Sequence, residues 1–286
     1  MALSTPEDRW LQLSGINARY WRCGSGPPLV LLHGIGGSLE AWYRNIPALS
    51  AGHEVIALEL PGCGRTSAPP VYPKDTLGMF AQFAAAELDQ IGVDRAVWVG
   101  SSLGGAVAIE YALRFPQRVD ALILVSSAGM STDVGWPLRF LAVRGLGEWL
   151  SRPSRLTSER SLRGIVADPG VITDDEIDTA WQLAQLPGAQ HAFLSMLRVY
   201  CTFFGIKRGE IKRIVNGLSR INVPVLLVWG DRDAIVPVDS MQTALRHLRQ
   251  AQAAILPGAG HLPYVEQPEA FNRLLLDFTA GLSPQE

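Results

Sequence analysis

The sequence predicts an α/β protein: a mostly parallel, doubly wound sheet with a helical segment inserted late in the chain. Three observations predict it. Short apolar runs such as residues 29–32, 119–125 and 223–229 alternate with amphipathic stretches of helical period. One such run, Ala96-Val97-Trp98-Val99, leads directly into Gly100-Ser101-Ser102-Leu103-Gly104 and a helical pattern that Pro116 ends. From Met130 to about Gly217 the texture becomes helical without a convincing strand, and it then reverts.

In chain order, residues 11–22 alternate and predict an opening hairpin with Gly15-Ile16-Asn17 at its turn. Residues 29–32 are apolar throughout, as a strand covered on both faces requires, and run into His33-Gly34-Ile35-Gly36-Gly37. Residues 39–49 predict a short helix and 54–60 a strand closed by Pro61-Gly62-Cys63-Gly64. Residues 76–91 carry Leu77, Phe80, Phe83, Ala84 and Leu88 on one helical face. The strand before Ser102, the helix 103–115 and a strand at 119–125 follow. Helical patches at 138–150, 174–186 and 191–204 are separated by Pro153, Pro169 and Pro187. Strands at 223–229 and 253–256 alternate with helices at 240–248 and 266–282. The expected division is a core of residues 1–128 and 218–286 around a helical insert, 129–217.

The insert is rich in large apolar residues: Trp136, Phe140, Trp149, Trp181, Phe193, Met196, Tyr200, Phe203 and Phe204. Most are expected to pack a small core of its own, and a minority to line a pocket. Arg152, Arg155, Arg160 and Arg163 read as a solvated face. His53 reads as a loop residue, and His191 and His247 as surface or cap residues of helices.

With 286 residues, 48% of them hydrophobic and 18% charged, the chain can bury a sizeable core. A net charge of −2 offers no strong field for nucleic acid or an anionic membrane. Cys23, Cys63 and Cys201 are odd in number and far apart, which fits a reducing, cytoplasmic setting without disulfides or a metal site. The opening residues 1–9 lack the cationic start and apolar centre of a signal peptide. No apolar stretch reaches the ~18 residues that a membrane span needs. No cofactor motif stands out; His33–Gly37 lacks the Lys-Ser/Thr ending of a phosphate loop.

Glycines two residues to either side of Ser102, between strand and helix, make a nucleophile elbow. A sharp turn there would lift the hydroxyl from the sheet, and the helix beneath it would present unpaired N–H groups to an oxyanion. Ser101 lacks the flanking glycines. The glycines after His33 would let backbone amides face a cavity, so the N–H groups of Ile35 and Leu103 are the expected oxyanion donors. His33 is expected to orient that turn. A serine needs an adjacent base, and His261, in the glycine-flanked loop Gly258-Ala259-Gly260, can serve. The base needs a carboxylate, for which Asp231 and Asp233 compete; Asp233 lies further along its loop, and Asp231 suits a local turn.

Five stretches in order resemble the α/β-hydrolase family: His33-Gly34-Ile35-Gly36-Gly37, Pro61-Gly62-Cys63-Gly64-Arg65-Thr66-Ser67, the serine elbow, Gly230-Asp231-Arg232-Asp233 and Gly260-His261-Leu262-Pro263. The resemblance implies the catalytic triad Ser102, Asp233 and His261, and a helical cap in the insert. It implies a hydrolase of small to medium apolar carboxylic esters, acting through an acyl-enzyme. Carbon–carbon hydrolysis of ring-fission products, lactonase or perhydrolase activity are alternatives on the same machinery. A non-catalytic ligand receptor on this fold is a reading of another class. Relatives that cleave carbon–carbon bonds often carry Trp after the histidine, where Leu262 stands here. Dehalogenases and epoxide hydrolases need Asp at the position of Ser102. Glu59 replaces a common Asp, with little expected effect on chemistry.

Overall fold

A computed structural model describes residues 5–282; Met1 to Ser4, the start of the polar opening stretch, lie outside the described residues. The strands are β1 (Arg9–Leu13), β2 (Ile16–Cys23), β3 (Pro28–Leu32), β4 (Glu54–Leu58), β5 (Ala96–Ser101), β6 (Val119–Val125), β7 (Cys201–Thr202), β8 (Gly205–Ile206), β9 (Val225–Gly230) and β10 (Ala251–Leu256). Eight of them form one sheet in the order β1-β2-β4-β3-β5-β6-β9-β10. The β1–β2 and β2–β4 pairs are antiparallel, and every later pair in the sheet is parallel.

The apolar runs behave as strands buried on both faces demand. Every residue of β5 and β9 is buried. One face packs on helices Thr76–Gln90 and Leu103–Arg114 through Phe80, Leu88, Val107 and Ile109. The other packs on Trp42, Leu49, Phe271 and Leu275. Strand order reverses at β3, whose neighbours are β4 on one side and β5 on the other. Such a switch point opens a crevice beyond the carboxyl ends of the strands, where ligands of parallel α/β sheets bind. The stretch His33–Gly37 leaves β3, and Ser102 leaves β5, at that crevice.

Several elements differ from expectation for local reasons. The first hairpin turns at Ser14 and Gly15, both at positive φ (50° and 81°), so Ile16 and Asn17 already belong to β2. Residues 39–49 form a 3₁₀ turn, Leu39–Trp42, and a separate helix, Ile46–Leu49, because Pro47 cannot continue a helix begun upstream. Gly145, at φ 79°, splits residues 138–150 into helices Trp136–Ala142 and Leu146–Leu150. Pro268 similarly divides the last helix into Pro263–Glu266 and Pro268–Ala280. The segment after β6 contains a hairpin, β7–β8, where no strand was expected. It also contains the helix Arg155–Arg163, formed by the basic run itself. Arg155 stays at the surface and pairs with Asp174 and Asp178. Helix Arg208–Leu218 crosses the expected boundary at 217/218 and packs on Leu103–Arg114 and Asp239–His247.

The aromatic residues of this segment do not build the internal core expected of them. Met196 and Tyr200 are buried, but Trp136, Trp149 and Phe204 are 58%, 60% and 88% exposed. His53 lies in the loop before β4, as expected, and is buried there.

A buried ionic cluster ties the sheet edge to the Pro61–Ser67 turn. Arg19 of β2, 1% exposed, pairs with Asp8, Glu40 and Glu59. Glu59 also accepts from the amides of Leu39, Arg65 and Thr66, and burial pushes its carboxyl up to about 7 against the pull of Arg19. Breaking such a cluster on one side strands the other charge. Arg19→Met is therefore expected to lower the unfolding free energy by about 3–5 kcal/mol in urea titrations, with partial recovery on adding Glu59→Gln.

Candidate active site

Ser102 occupies a backbone conformation, φ 51° and ψ −114°, that a side-chain-bearing residue rarely adopts. Its neighbours make the turn possible. A Cβ on Gly100 would lie 2.4 Å from the Gly104 carbonyl oxygen, and one on Gly104 would lie 2.5 Å from that of Leu32. The Ser102 amide donates to the Val125 carbonyl on β6 (2.9 Å), and its carbonyl accepts from Gly105 and Ala128. The hydroxyl thus stands at the N-terminus of helix Leu103–Arg114. The Leu103 amide donates no hydrogen bond among the described residues. Ser101 is fully buried.

His33 orients the loop after β3. Its Nε2 accepts the Leu60 amide at 3.1 Å, which places the ring hydrogen on Nδ1, and Nδ1 donates to the Gly34 carbonyl at 2.8 Å. The Gly37 amide donates to the same carbonyl. Because the peptide is planar and trans, fixing the Gly34 carbonyl turns the Ile35 N–H the opposite way, where it donates to no group among the described residues. Burial pushes the His33 imidazole down to about 4, so it stays neutral and keeps this tautomer.

Asp233 and His261 are in direct contact. His261 Nδ1 lies 2.9 Å from Asp233 Oδ2 and 3.0 Å from Oδ1. The amides of Ile235 and Val236 donate to Oδ1 and hold the carboxylate in place. Both side chains are almost wholly buried, at 6% and 0% exposure, so solvent screens their interaction weakly. The loops after β9 and β10 are zipped together. Arg232 donates its amide to the Ala259 carbonyl, and Asp231 accepts the Gly258 amide at 2.7 Å. Asp231 therefore bridges two loops, a longer-range task than the local turn expected of it. Gly230 is required there, since a Cβ would lie 2.2 Å from the carbonyl oxygens of Ala259 and Gly260.

A cavity opens over the elbow. Ser102, Ile35 and Leu103 form its base, and Leu138, Ile206 and Val236 are among the apolar residues around it. No Lys, Arg or His lines it, whereas Asp133 and Glu210 do. Of the nine large apolar side chains singled out in the insert, Tyr200 alone reaches this wall. Ser102 Oγ and His261 Nε2 make no hydrogen bond to one another among the described residues. Such bonds are often long in unliganded sites and tighten when substrate binds. Ser102, Asp233 and His261 leave the carboxyl ends of β5, β9 and β10, with β6 as the one strand between β5 and β9.

Two positioning groups were not foreseen. Glu266 accepts the Gly260 amide (2.8 Å) and the Ala167 amide (2.7 Å), and His261 donates its own amide to the Ile165 carbonyl (2.9 Å). A Glu closing the short helix Pro263–Glu266 carries no sequence signal for this task, because one of its donors, the Ala167 amide, belongs to a loop distant in the sequence. Glu266→Ala is expected to lower kcat about tenfold through a misplaced His261, with a smaller change in KM, in steady-state assays.

His33 generates a prediction on acid stability. Its pKa of about 4 in the folded chain lies below the usual 6.5, so the unfolded chain binds the proton first as pH falls. Stability from this group is complete above pH 6.5 and is lost as pH falls from 6.5 to about 4. The full loss is about 3 kcal/mol. Unfolding curves of wild type and His33→Asn should diverge in slope across that window and run parallel above it.

Comparison with known proteins accords with this geometry. The family model for the alpha/beta hydrolase fold matches residues 27–151. The chain is 30% identical over 267 residues to a 2-hydroxy-6-oxo-6-phenylhexa-2,4-dienoate hydrolase of Burkholderia cepacia, covering 90% of this chain and 89% of that one. It is 30% identical over 270 residues to the dihydrolipoyllysine-residue acetyltransferase component of the acetoin cleaving system of Pseudomonas putida, where it spans 94% of itself and 66% of the relative. Among solved structures, a meta-cleavage product hydrolase from Pseudomonas fluorescens IP01 superposes with a TM-score of 0.81 at 27% identity, over 96% of this chain and 98% of that one. With a serine on the elbow between β5 and its helix, and full-length relatives that are hydrolases, the chain belongs to the α/β-hydrolase family of enzymes.

Proposed function

We propose that the protein is a serine hydrolase that cleaves a carbon–carbon bond beside a ketone, in a product of aromatic-ring fission. Ser102 is the nucleophile, His261 the base, and Asp233 the group that holds and charges-balances the imidazole. The observation that carries the mechanism is the buried Asp233–His261 contact at 2.9 Å, at the same carboxyl edge of the sheet as a serine held at φ 51°. The choice of bond rests on relatives named for 2-hydroxy-6-oxo-dienoate hydrolysis that match nine tenths or more of this chain. Sequence alone put carboxylic esters first, and the relatives move the carbon–carbon reading ahead.

The chemistry follows from the parts. His261 takes the Ser102 proton as Oγ adds to the carbonyl, and the amides of Ile35 and Leu103 receive the oxyanion. Losing one such donor costs ~3 kcal/mol of transition-state stabilisation. The carbon–carbon bond then breaks, with its electron pair leaving on carbon. That departure is feasible only from the 2-oxo tautomer, in which the 2-hydroxyl proton has moved to C5, because the electron pair then passes from C5 into the conjugated 2-oxo enoate. His261 returns the proton to the leaving fragment and next activates water, which releases the acyl group as an acid. Residues 129–217 act as a cap over this site and exclude bulk water.

Two observations favour ester hydrolysis as a second reading. The cavity walls carry Asp133 and Glu210 and no cation, so a dienoate carboxylate finds no counter-charge in them. Leu262 in place of the Trp common in carbon–carbon hydrolases points the same way.

Turnover decides between them. A 2-hydroxy-6-oxo-6-phenyl dienoate is expected to show kcat/KM at least tenfold above short p-nitrophenyl esters, with the reverse ratio favouring the ester reading. Ser102→Ala should lower kcat by at least about a thousandfold on either substrate. Undiminished turnover in that variant would remove the mechanism.

A further inference from the structure

The segment over the cavity presents a second face. Trp136, Phe140, Phe203 and Phe204 form one continuous group of rings, with successive centroids 5.6–6.2 Å apart. They are 58%, 40%, 41% and 88% exposed. Trp136 and Phe140 stand four apart on helix Trp136–Ala142 and so share a face, while Leu138, on the opposite side of the same helix, lines the cavity. The hairpin repeats this division. Cys201 and Ile206 line the cavity, and Phe203 and Phe204 form the outward tip between β7 and β8.

Cations outnumber carboxylates around the rings: stretches 135–147 and 201–209 contain Arg139, Arg144, Lys207 and Arg208, while the bordering carboxylates Asp133, Glu148 and Glu210 are paired with Arg139, Arg198 and Arg213. Arg139 lies over the Trp136 ring at 4.8 Å and reaches back to Asp133, whereas Arg144 and Arg208 are exposed.

We infer that this face docks on the surface of an anionic lipid bilayer, lying on it and not spanning it. Aromatic rings at a protruding tip, flanked by cations, are the composition of an interfacial anchor. The rings expose roughly 450 Å² at about 200 Å² each, well below the ~800 Å² per partner that a stable dimer buries. A bilayer, unlike a rigid protein surface, accommodates a projecting ring without a matching pocket.

The test is sedimentation of the intact chain with vesicles of phosphatidylcholine alone or mixed with phosphatidylglycerol. Binding is expected with the mixed vesicles, at least tenfold weaker with phosphatidylcholine alone and weakened by 0.5 M salt. The Trp136→Ser/Phe204→Ser double variant and, separately, the Arg144→Glu/Arg208→Glu variant should each lose at least tenfold in vesicle affinity. Turnover of a soluble substrate should stay unchanged in both, which also reports that they fold. Equal binding to both vesicle types, binding to neither, or a wild-type dimer that the Trp136/Phe204 substitutions dissociate would each overturn the proposal. None of these outcomes bears on the hydrolase reading, because vesicle binding does not require turnover.

Discussion

One backbone conformation governs the site: Ser102 at positive φ, clamped between a strand and a helix with no room for side chains beside it. The strain is held by close packing. Gly100 and Gly104 lie against the backbone of the helix and of β3, and neither could carry a Cβ without displacing a main chain. Bonds from Ser102 to β6 and to Ala128 fix the peptide on both sides. A strained residue persists only where its surroundings over-determine it. Here the surroundings are the central strands of the sheet, the least deformable part of the fold.

The rest of the site is arranged around that point by pinned loops. Neutral His33 holds one carbonyl and so aims one amide. The loops after β9 and β10 are tied by Arg232, Asp231 and the close approach at Gly230, so the Asp233–His261 pair moves as a unit. Glu266 ties the backbone before His261 to the helical segment at Ala167. The basic loop geometry is thus linked to the segment over the cavity, and the same segment shows apolar walls inward and aromatic rings outward.

Much of this was legible in the sequence because it is written locally. Double-sided apolar runs named the parallel strands, and glycine spacing named Ser102. The Asp233–His261 contact followed from loop position and family order. What escaped was set by tertiary contacts. Trp136 and Phe204 are apolar and sit in an apolar-rich insert, so composition predicted burial, yet nothing local records that no neighbour covers them. Glu266 looks like any first-turn glutamate, and its task depends on a loop a hundred residues away. Pro47 and Gly145 were readable breakers that the helical period masked.

The central claim is that Ser102 is a nucleophile made reactive by His261. The most direct measurement is intact-protein and peptide mass spectrometry after treatment with a fluorophosphonate. The account predicts a single phosphonyl adduct on the peptide containing Ser102, formed at least a hundredfold more slowly in His261→Ala. An unmodified protein, an adduct on another residue, or labelling of Ser102 at an unchanged rate without His261 would contradict it.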